Sequence, residues 1–331
     1  MKNIQKLNLF KKPTRIDFLE RLSKHLGGPE IYLKRDDLIG VALGGNKVRK
    51  LEYLLADALD KKADVIFTTG GPQSNHARIT AGICAELGLK CVLVLGGTGK
   101  YAYEGNLLLD KIFGAEIVMA GTRDFAKVPA VIEQHVEEYR KKGFKPYVIP
   151  LGGANGIGAL GYYEAFVEIE TQSKAAKTRF DYIVIANGSG GTHAGLEAGK
   201  FMSGSDVEII GISVLFKKAK IVNEVYKDIG EALNILNCAR VHNTGITLYD
   251  EYLGPGYAIP SLLTLEAIKT AGRLEGIVLD PVYTGKAFGG LMDLIAKKII
   301  TKKEKVLFIH TGGYPGMVNM KEEHVSRLIT N

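Results

Sequence analysis

Cysteine is scarce in this chain of 331 residues: Cys84, Cys91 and Cys238 are the whole supply. None forms a Cys-x-x-Cys pair or a Cys/His spacing suited to a metal, so no metal site is expected, and the odd count argues against a disulfide framework. No apolar run approaches the roughly 18 residues that span a bilayer. The opening segment, Met1 to Lys6, lacks the long apolar stretch of a secretory leader, and the expected location is the reducing cytoplasm. No internal repeat or low-complexity linker interrupts the chain. Lys and Arg are dispersed rather than clustered. Nucleic acid and membrane are therefore not expected partners, and the formal net charge of +7 suits an anionic small ligand better.

Glycine is abundant instead: 40 of 331 residues, about 12%, against a usual share of about 7%. Such an excess fits loops where backbone closely approaches something else. The length suggests two domains at about 150 residues each. Short β-branched runs alternate with helical patterns. Strands are expected at 31–34, 65–68, 91–95, 116–119, 147–149, 181–186, 208–213 and 306–310. Between them, 47–59 places Leu51, Leu54, Leu55, Ala58 and Leu59 on one helical face. Asn46 stands where it would cap that helix. The stretches 74–87 and 162–171 read similarly. Strand–helix–strand alternation implies a mainly parallel, helix-covered sheet. The Gly-rich stretch Leu151 to Gly161 is expected to act as a hinge between two α/β units.

Four Gly-containing loops follow expected strands, where open parallel sheets bind ligands. In Gly44-Gly45-Asn46-Lys47, Lys47 is either a solvated side chain or an amine held for covalent work on a carbonyl. In Gly70-Gly71-Pro72-Gln73-Ser74-Asn75-His76, Ser74 and Asn75 either cap a helix or clamp a carboxylate. Asn187-Gly188-Ser189-Gly190-Gly191-Thr192 suits a phosphate, although a plain turn would also explain it. His310-Thr311-Gly312-Gly313 is read equally as a turn or a site. His76 and His193 are read first as helix-start residues. Two further Gly patterns fail. Gly152-x-x-x-Gly156-x-Gly158 has the spacing of a dehydrogenase nucleotide loop but no Tyr-x-x-x-Lys partner. Gly96 to Lys100 lacks the remaining residues of a P-loop, with Val94 and Tyr101 in their places.

The run Tyr32-Leu33-Lys34-Arg35-Asp36-Asp37, then Gly44-Gly45-Asn46-Lys47-Val48-Arg49-Lys50-Leu51-Glu52, then Gln73 to His76, resembles the D-cysteine desulfhydrase and 1-aminocyclopropane-1-carboxylate (ACC) deaminase family. The likeness continues through Gly188–Thr192, Gly254-Pro255-Gly256-Tyr257, Asp280-Pro281-Val282-Tyr283-Thr284-Gly285-Lys286 and His310–Gly313. The resemblance implies the fold type II architecture of pyridoxal-phosphate (PLP) enzymes. That is α/β, with two open twisted parallel-sheet domains, helices on both faces and PLP in the interdomain cleft. Residues 1–47 plus 162–331 would form the large domain and 48–161 a small inserted one. It also implies a homodimer and a small amino-acid substrate.

The same resemblance implies roles. Lys47 would form the Schiff base and then act as general base. Gly188, Ser189, Gly190, Gly191 and Thr192 would hold the phosphate. Asn75 would contact the ring hydroxyl, and Thr284 and Thr311 would lie by the cofactor. Ser74, Asn75 and His76 would meet the substrate carboxylate. Tyr257 and Tyr283 would flank the substrate, Tyr283 either moving a proton or only packing. ACC deaminases resemble this chain but carry Glu and Leu where Thr284 and Thr311 stand, so the Thr pair looks like the desulfhydrase branch. A neutral hydroxyl beside the ring nitrogen also suits expulsion of a thiolate, already a fair leaving group. The expected reaction is β-elimination of D-cysteine to pyruvate, hydrogen sulfide and ammonia. An L-cysteate sulfo-lyase or an ACC deaminase is the alternative within the family. A nucleotide-linked oxidoreductase using the Gly152 loop is the alternative from another class, and a PLP-binding protein without turnover is a third.

Overall fold

The computed structural model describes residues 5–238, 245–318 and 320–329. Residues 1–4, on which part of the leader reading falls, lie outside them. Among the described residues, ten strands form two sheets. They are β1 (Ile16–Phe18), β2 (Glu30–Lys34), β3 (Val65–Gly70), β4 (Lys90–Leu95), β5 (Glu116–Met119), β6 (Pro146–Val148), β7 (Tyr182–Asn187), β8 (Glu208–Ser213), β9 (Thr247–Tyr249) and β10 (Lys305–Ile309). The first sheet runs β1-β2-β10-β7-β8-β9 and the second β5-β4-β3-β6. Every pairing is parallel except that of β1 with β2.

Alternation along the strands decides what each face buries. On the six-stranded sheet, Leu33, Val184, Ile210, Ile212 and Phe308 pack with Phe288 and Leu291 of the helix Thr284–Ala296. Ile183, Ile185, Ile209, Leu307 and Ile309 point the other way, onto Tyr162, Phe166 and Leu196. The four-stranded sheet repeats the arrangement. Ile66, Leu93 and Leu95 meet Leu51, Leu54 and Leu55 of the helix Asn46–Asp60, while Phe67, Val92 and Val94 meet Val128, Ile132 and Val136. Both sheets are covered on both faces, as parallel sheets require. No helix among the described residues is long and apolar enough to cross a membrane, and none of their His, Cys, Asp and Glu side chains cluster as a metal site would.

Three expectations need correction. Asn46 does not cap its helix: Gly45 holds the N-cap position at φ 113°, and Asn46 is the first helical residue. The Gly-rich stretch is largely helical, because Gly156–Ala175 is one helix of 20 residues rather than a helix beginning at Tyr162. Its glycines serve close packing. A Cβ on Gly161 would overlap the Arg49 carbonyl, and one on Gly195 of the next helix, Gly191–Ser203, would overlap the Ala159 carbonyl. The three-residue strands β1 and β9 were not expected, being too short to show a period.

The P-loop look-alike is not followed by a helix until Gly105. The Gly152 pattern does precede a helix, but the donors there are taken. Gly156 N–H donates to Glu231 at 2.8 Å and Gly158 N–H to the Asn155 side chain at 2.8 Å.

Candidate active site

The carboxyl ends of β3, β7 and β10 converge on one cavity. Lys47, Ser74, Asn75, His76, Gly188, Ser189, Gly190, Thr192, Tyr257, Tyr283 and Thr311 all line it. Gly191 sits immediately behind, at the start of its helix. Thr284 does not reach the cavity. It is fully buried, and its hydroxyl is engaged with Asp280, donating to Oδ1 at 2.7 Å and accepting the Asp280 N–H at 2.8 Å. Asp280 caps the helix Thr284–Ala296 by accepting the N–H groups of Val282, Tyr283 and Thr284. That explains why position 284 is tied to the cap rather than to the site.

Lys47 enters from the first turn of its helix. The preceding glycines are required there: Gly44 and Gly45 have φ of 66° and 113°, and a Cβ on Gly45 would lie 2.6 Å from the Thr311 carbonyl oxygen. Asn46 ties this turn to the others. Its N–H donates to the Thr311 carbonyl at 3.1 Å, its side-chain amide donates to Thr192 Oγ1 at 3.0 Å, and its Oδ1 accepts from Lys47 Nζ at 3.1 Å. Burial lowers the Lys47 pKa to about 8, since a low-dielectric site disfavours the charged amine.

One turn further on, Lys50 faces the same way, and its Nζ lies 2.9 Å from where a Cβ on Gly191 would stand. It donates to the Gly152 carbonyl at 3.2 Å. Burial, then the Lys47 charge, pushes its pKa well below the usual lysine value, against the pull of Asp228. The sequence alone did not single out Lys50; its i, i+3 relation to Lys47 is the signal that was there to use. Burial, with the two lysines, also holds His76 well below the usual imidazole value, so it is a neutral ring. Its Nε2 meets Thr68 Oγ1 at 2.8 Å.

Ser74 caps the helix Asn75–Glu86, accepting from Ala77 N–H at 3.2 Å. Its own hydroxyl proton is left for the cavity. Across the cavity, the turn after β7 brings Gly190 to φ 92° and opens the helix Gly191–Ser203 with no side-chain cap. The free N–H groups of that first turn, with the helix dipole, form a ready anion site. The Thr192 hydroxyl and the Lys50 amine add two further donors. An uncapped helix start, a buried amine beside it and a second amine of lowered pKa fit a phosphate ester that carries an aldehyde. The residues present therefore fit PLP, and Lys47, Asn75, Thr192, Thr311 and the 188–191 turn are the ones placed to hold it.

Residues 7–312 match the family described as pyridoxal-phosphate dependent enzyme. A Thermotoga maritima protein, provisionally named 1-aminocyclopropane-1-carboxylate deaminase, is 44% identical over 312 residues, covering 94% of this chain and 97% of its own. A Salmonella newport protein named D-cysteine desulfhydrase is 42% identical over 321 residues, covering 94% and 95%. Among solved structures, one described as an ACC deaminase homologue superposes with a TM-score of 0.92 at 43% identity, covering 98% of this chain and 97% of that one. The processed form of a threonine deaminase from Solanum lycopersicum shares the fold at a TM-score of 0.65 and 18% identity, covering 95% and 82%. Matched over nearly its whole length by these relatives and built around a cavity that fits their cofactor, the chain belongs to the pyridoxal-phosphate dependent enzyme family.

Proposed function

We propose that this enzyme eliminates the β-substituent of D-cysteine, releasing hydrogen sulfide, pyruvate and ammonia. One observation carries the reading: no carboxylate lines the cavity among the described residues, and Thr311, a neutral hydroxyl, is the polar side chain that the turn after β10 presents to it. Bound there, PLP supplies an aldehyde for amino groups and a conjugated ring that takes up charge from the substrate carbon. Thr311 could offer the ring nitrogen a hydrogen bond but no negative charge, so the ring would be a modest electron sink. Loss of a thiolate needs no stronger one, whereas opening a cyclopropane ring gains much from a carboxylate partner.

The chain's own residues divide the remaining work. The neutral Lys47 Nζ takes the proton from the substrate α-carbon. The Ser74 hydroxyl and the N–H groups at the start of its helix hold the substrate carboxylate. Tyr257 and Tyr283 hold one proton between their hydroxyls and supply another to the departing sulfur; burial raises both phenols above the usual tyrosine value, so they keep these protons at neutral pH. Lys50 and the 188–192 turn hold the phosphate. We take the six-stranded sheet as the core of a large domain and the four-stranded sheet as that of an inserted small one, 48–161.

The test is a substrate panel read for 2-oxo acid and for sulfide or sulfite. D-cysteine should yield pyruvate and sulfide in equal amounts. A 2-oxo acid from ACC without sulfide would establish the deaminase instead, and sulfite from L-cysteate the sulfo-lyase. The curated relatives carry both the desulfhydrase and the deaminase names, so the panel must include both substrates.

A further inference from the structure

Asn106 lies outside the cavity, in the first turn of the helix Gly105–Ile112, and is fully buried. Its two side-chain amide hydrogens have two acceptors. Nδ2 donates to the Gln73 carbonyl oxygen at 2.8 Å and to Asn75 Oδ1 at 2.9 Å. The pairing is reciprocal, because Asn106 N–H donates to Gln73 Oε1 at 2.9 Å and Gln73 Nε2 donates to the Glu104 carbonyl at 3.1 Å.

The orientation of both amides follows from donor and acceptor identity alone. A backbone carbonyl can only accept, so Asn106 must turn its NH2 toward Gln73. That same NH2 then faces Asn75, which must answer with its oxygen. The Asn75 Oδ1 is thereby engaged by Asn106, and its NH2 is the end left for the cavity that Asn75 lines. The same orientation leaves the Asn106 Oδ1 buried and without a protein partner among the described residues.

We propose that Asn106 is a positioning residue which locks the side-chain amide of Asn75 with its NH2 toward the cofactor ring oxygen. The inference rests on the reading of Asn75 as the residue facing that oxygen. A hydrogen-bond donor favours the ionised ring oxygen, so the lock sets the protonation of the bound cofactor as well as its affinity.

The experiment is a double-mutant cycle on holoenzyme, with Asn75→Ala, Asn106→Leu and the double variant, read by cofactor dissociation constant, by the pH dependence of the bound cofactor's absorbance and by thermal midpoint. Each single variant should weaken cofactor binding by about three- to tenfold, the worth of one hydrogen bond, and shift the absorbance titration in the same direction. The double variant should be no worse than Asn75→Ala alone. Additive losses, or an Asn106→Leu effect confined to the thermal midpoint, would overturn the lock. If Asn75→Ala itself leaves affinity and absorbance unchanged, it is the assignment of Asn75 that fails. Should Asn106→Leu not fold, side-chain amide hydrogen exchange in the cofactor-free wild-type protein decides. The Asn106 NH2 should be protected, and the Asn75 NH2 should exchange quickly until PLP is added. Equal protection of both amides would refute the proposal.

Discussion

The hydroxyls of Tyr257 and Tyr283 lie 2.6 Å apart, their rings edge-on with centroids 6.2 Å apart. One hydroxyl donates to the other, so the pair points one free proton at the cavity. Tyr257 comes from the Gly254–Gly256 turn, whereas Tyr283 precedes the helix Thr284–Ala296 and is held by the Asp280 cap. Replacing either by Phe removes one hydroxyl and the hydrogen bond that orients the other, while keeping the ring. Each variant should lose about 100- to 10,000-fold in sulfide release from D-cysteine, the range of general acid–base contributions. The cofactor absorbance should be retained. A Tyr283→Phe variant with unchanged turnover would show that this ring only packs.

Capture of the cofactor should follow the ionisation of Lys47. With its pKa lowered to about 8 by burial, about a tenth of the amine is neutral at pH 7. The neutral form attacks an aldehyde, so PLP uptake by cofactor-free protein should rise with pH and level off above about 8 to 9. Stopped-flow absorbance between pH 6 and 10 measures this. A rise continuing toward the ordinary lysine value would mean that the amine is not desolvated. Lys47→Ala should hold no cofactor that borohydride fixes covalently to the protein.

The residues brought to the cavity were legible where they sit in glycine turns after strands, since such turns have a fixed place in parallel sheets. Lys47, Ser74, Asn75, Thr192 and Thr311 converge as those turns converge. Residues whose place depends on a side chain's path through space were not legible. Lys50 is three residues from Lys47 and reads as an ordinary helix-face lysine until the Gly191 turn is laid over it. Asn106 follows a Glu-Gly pair that carries no signal of its own. Thr284 shows the reverse error: it falls in a strong motif, but its backbone turns it toward Asp280. The helix from Gly156 was hidden because glycine is a poor helix former. Only the neighbouring backbones explain why it is there.

The helix that carries Lys47 is held from its opposite side by buried charge. Arg49 donates to Asp36 Oδ1 at 2.8 Å and to Glu168 Oε1 at 3.0 Å, and Tyr162 donates to Asp36 at 2.6 Å. Burial alone would raise the Asp36 carboxyl, but Arg49, together with Lys34 and Tyr162, outweighs it and holds the group below its usual value. A carboxylate whose folded pKa is lowered adds stability above its unfolded value, near 4, and loses it as pH falls below. Arg49→Met removes the main partner of that buried carboxylate and should cost about 3–5 kcal/mol at neutral pH, by urea unfolding. The deficit should shrink as pH is lowered below about 4. A deficit constant down to pH 3 would mean the loss is one of packing rather than charge.

Two glycines in helices should respond in opposite ways to alanine. Gly161 faces the Arg49 carbonyl so closely that a methyl group would overlap it, and the helices Asn46–Asp60 and Gly156–Ala175 would have to part. Gly161→Ala should therefore destabilise by about 1–3 kcal/mol, as overpacking does, and should weaken cofactor binding because Lys47 and Lys50 ride on the displaced helix. Gly230, within the helix Lys218–Ile235, has open space where its Cβ would go and needs no positive φ. Gly230→Ala should stabilise by about 0.5–1 kcal/mol through helix propensity and a less flexible unfolded chain. Urea midpoints at unchanged slope measure both. If the two substitutions moved the midpoint in the same direction, close helix contact at Gly161 would not be what fixes the angle at which Lys47 enters the site.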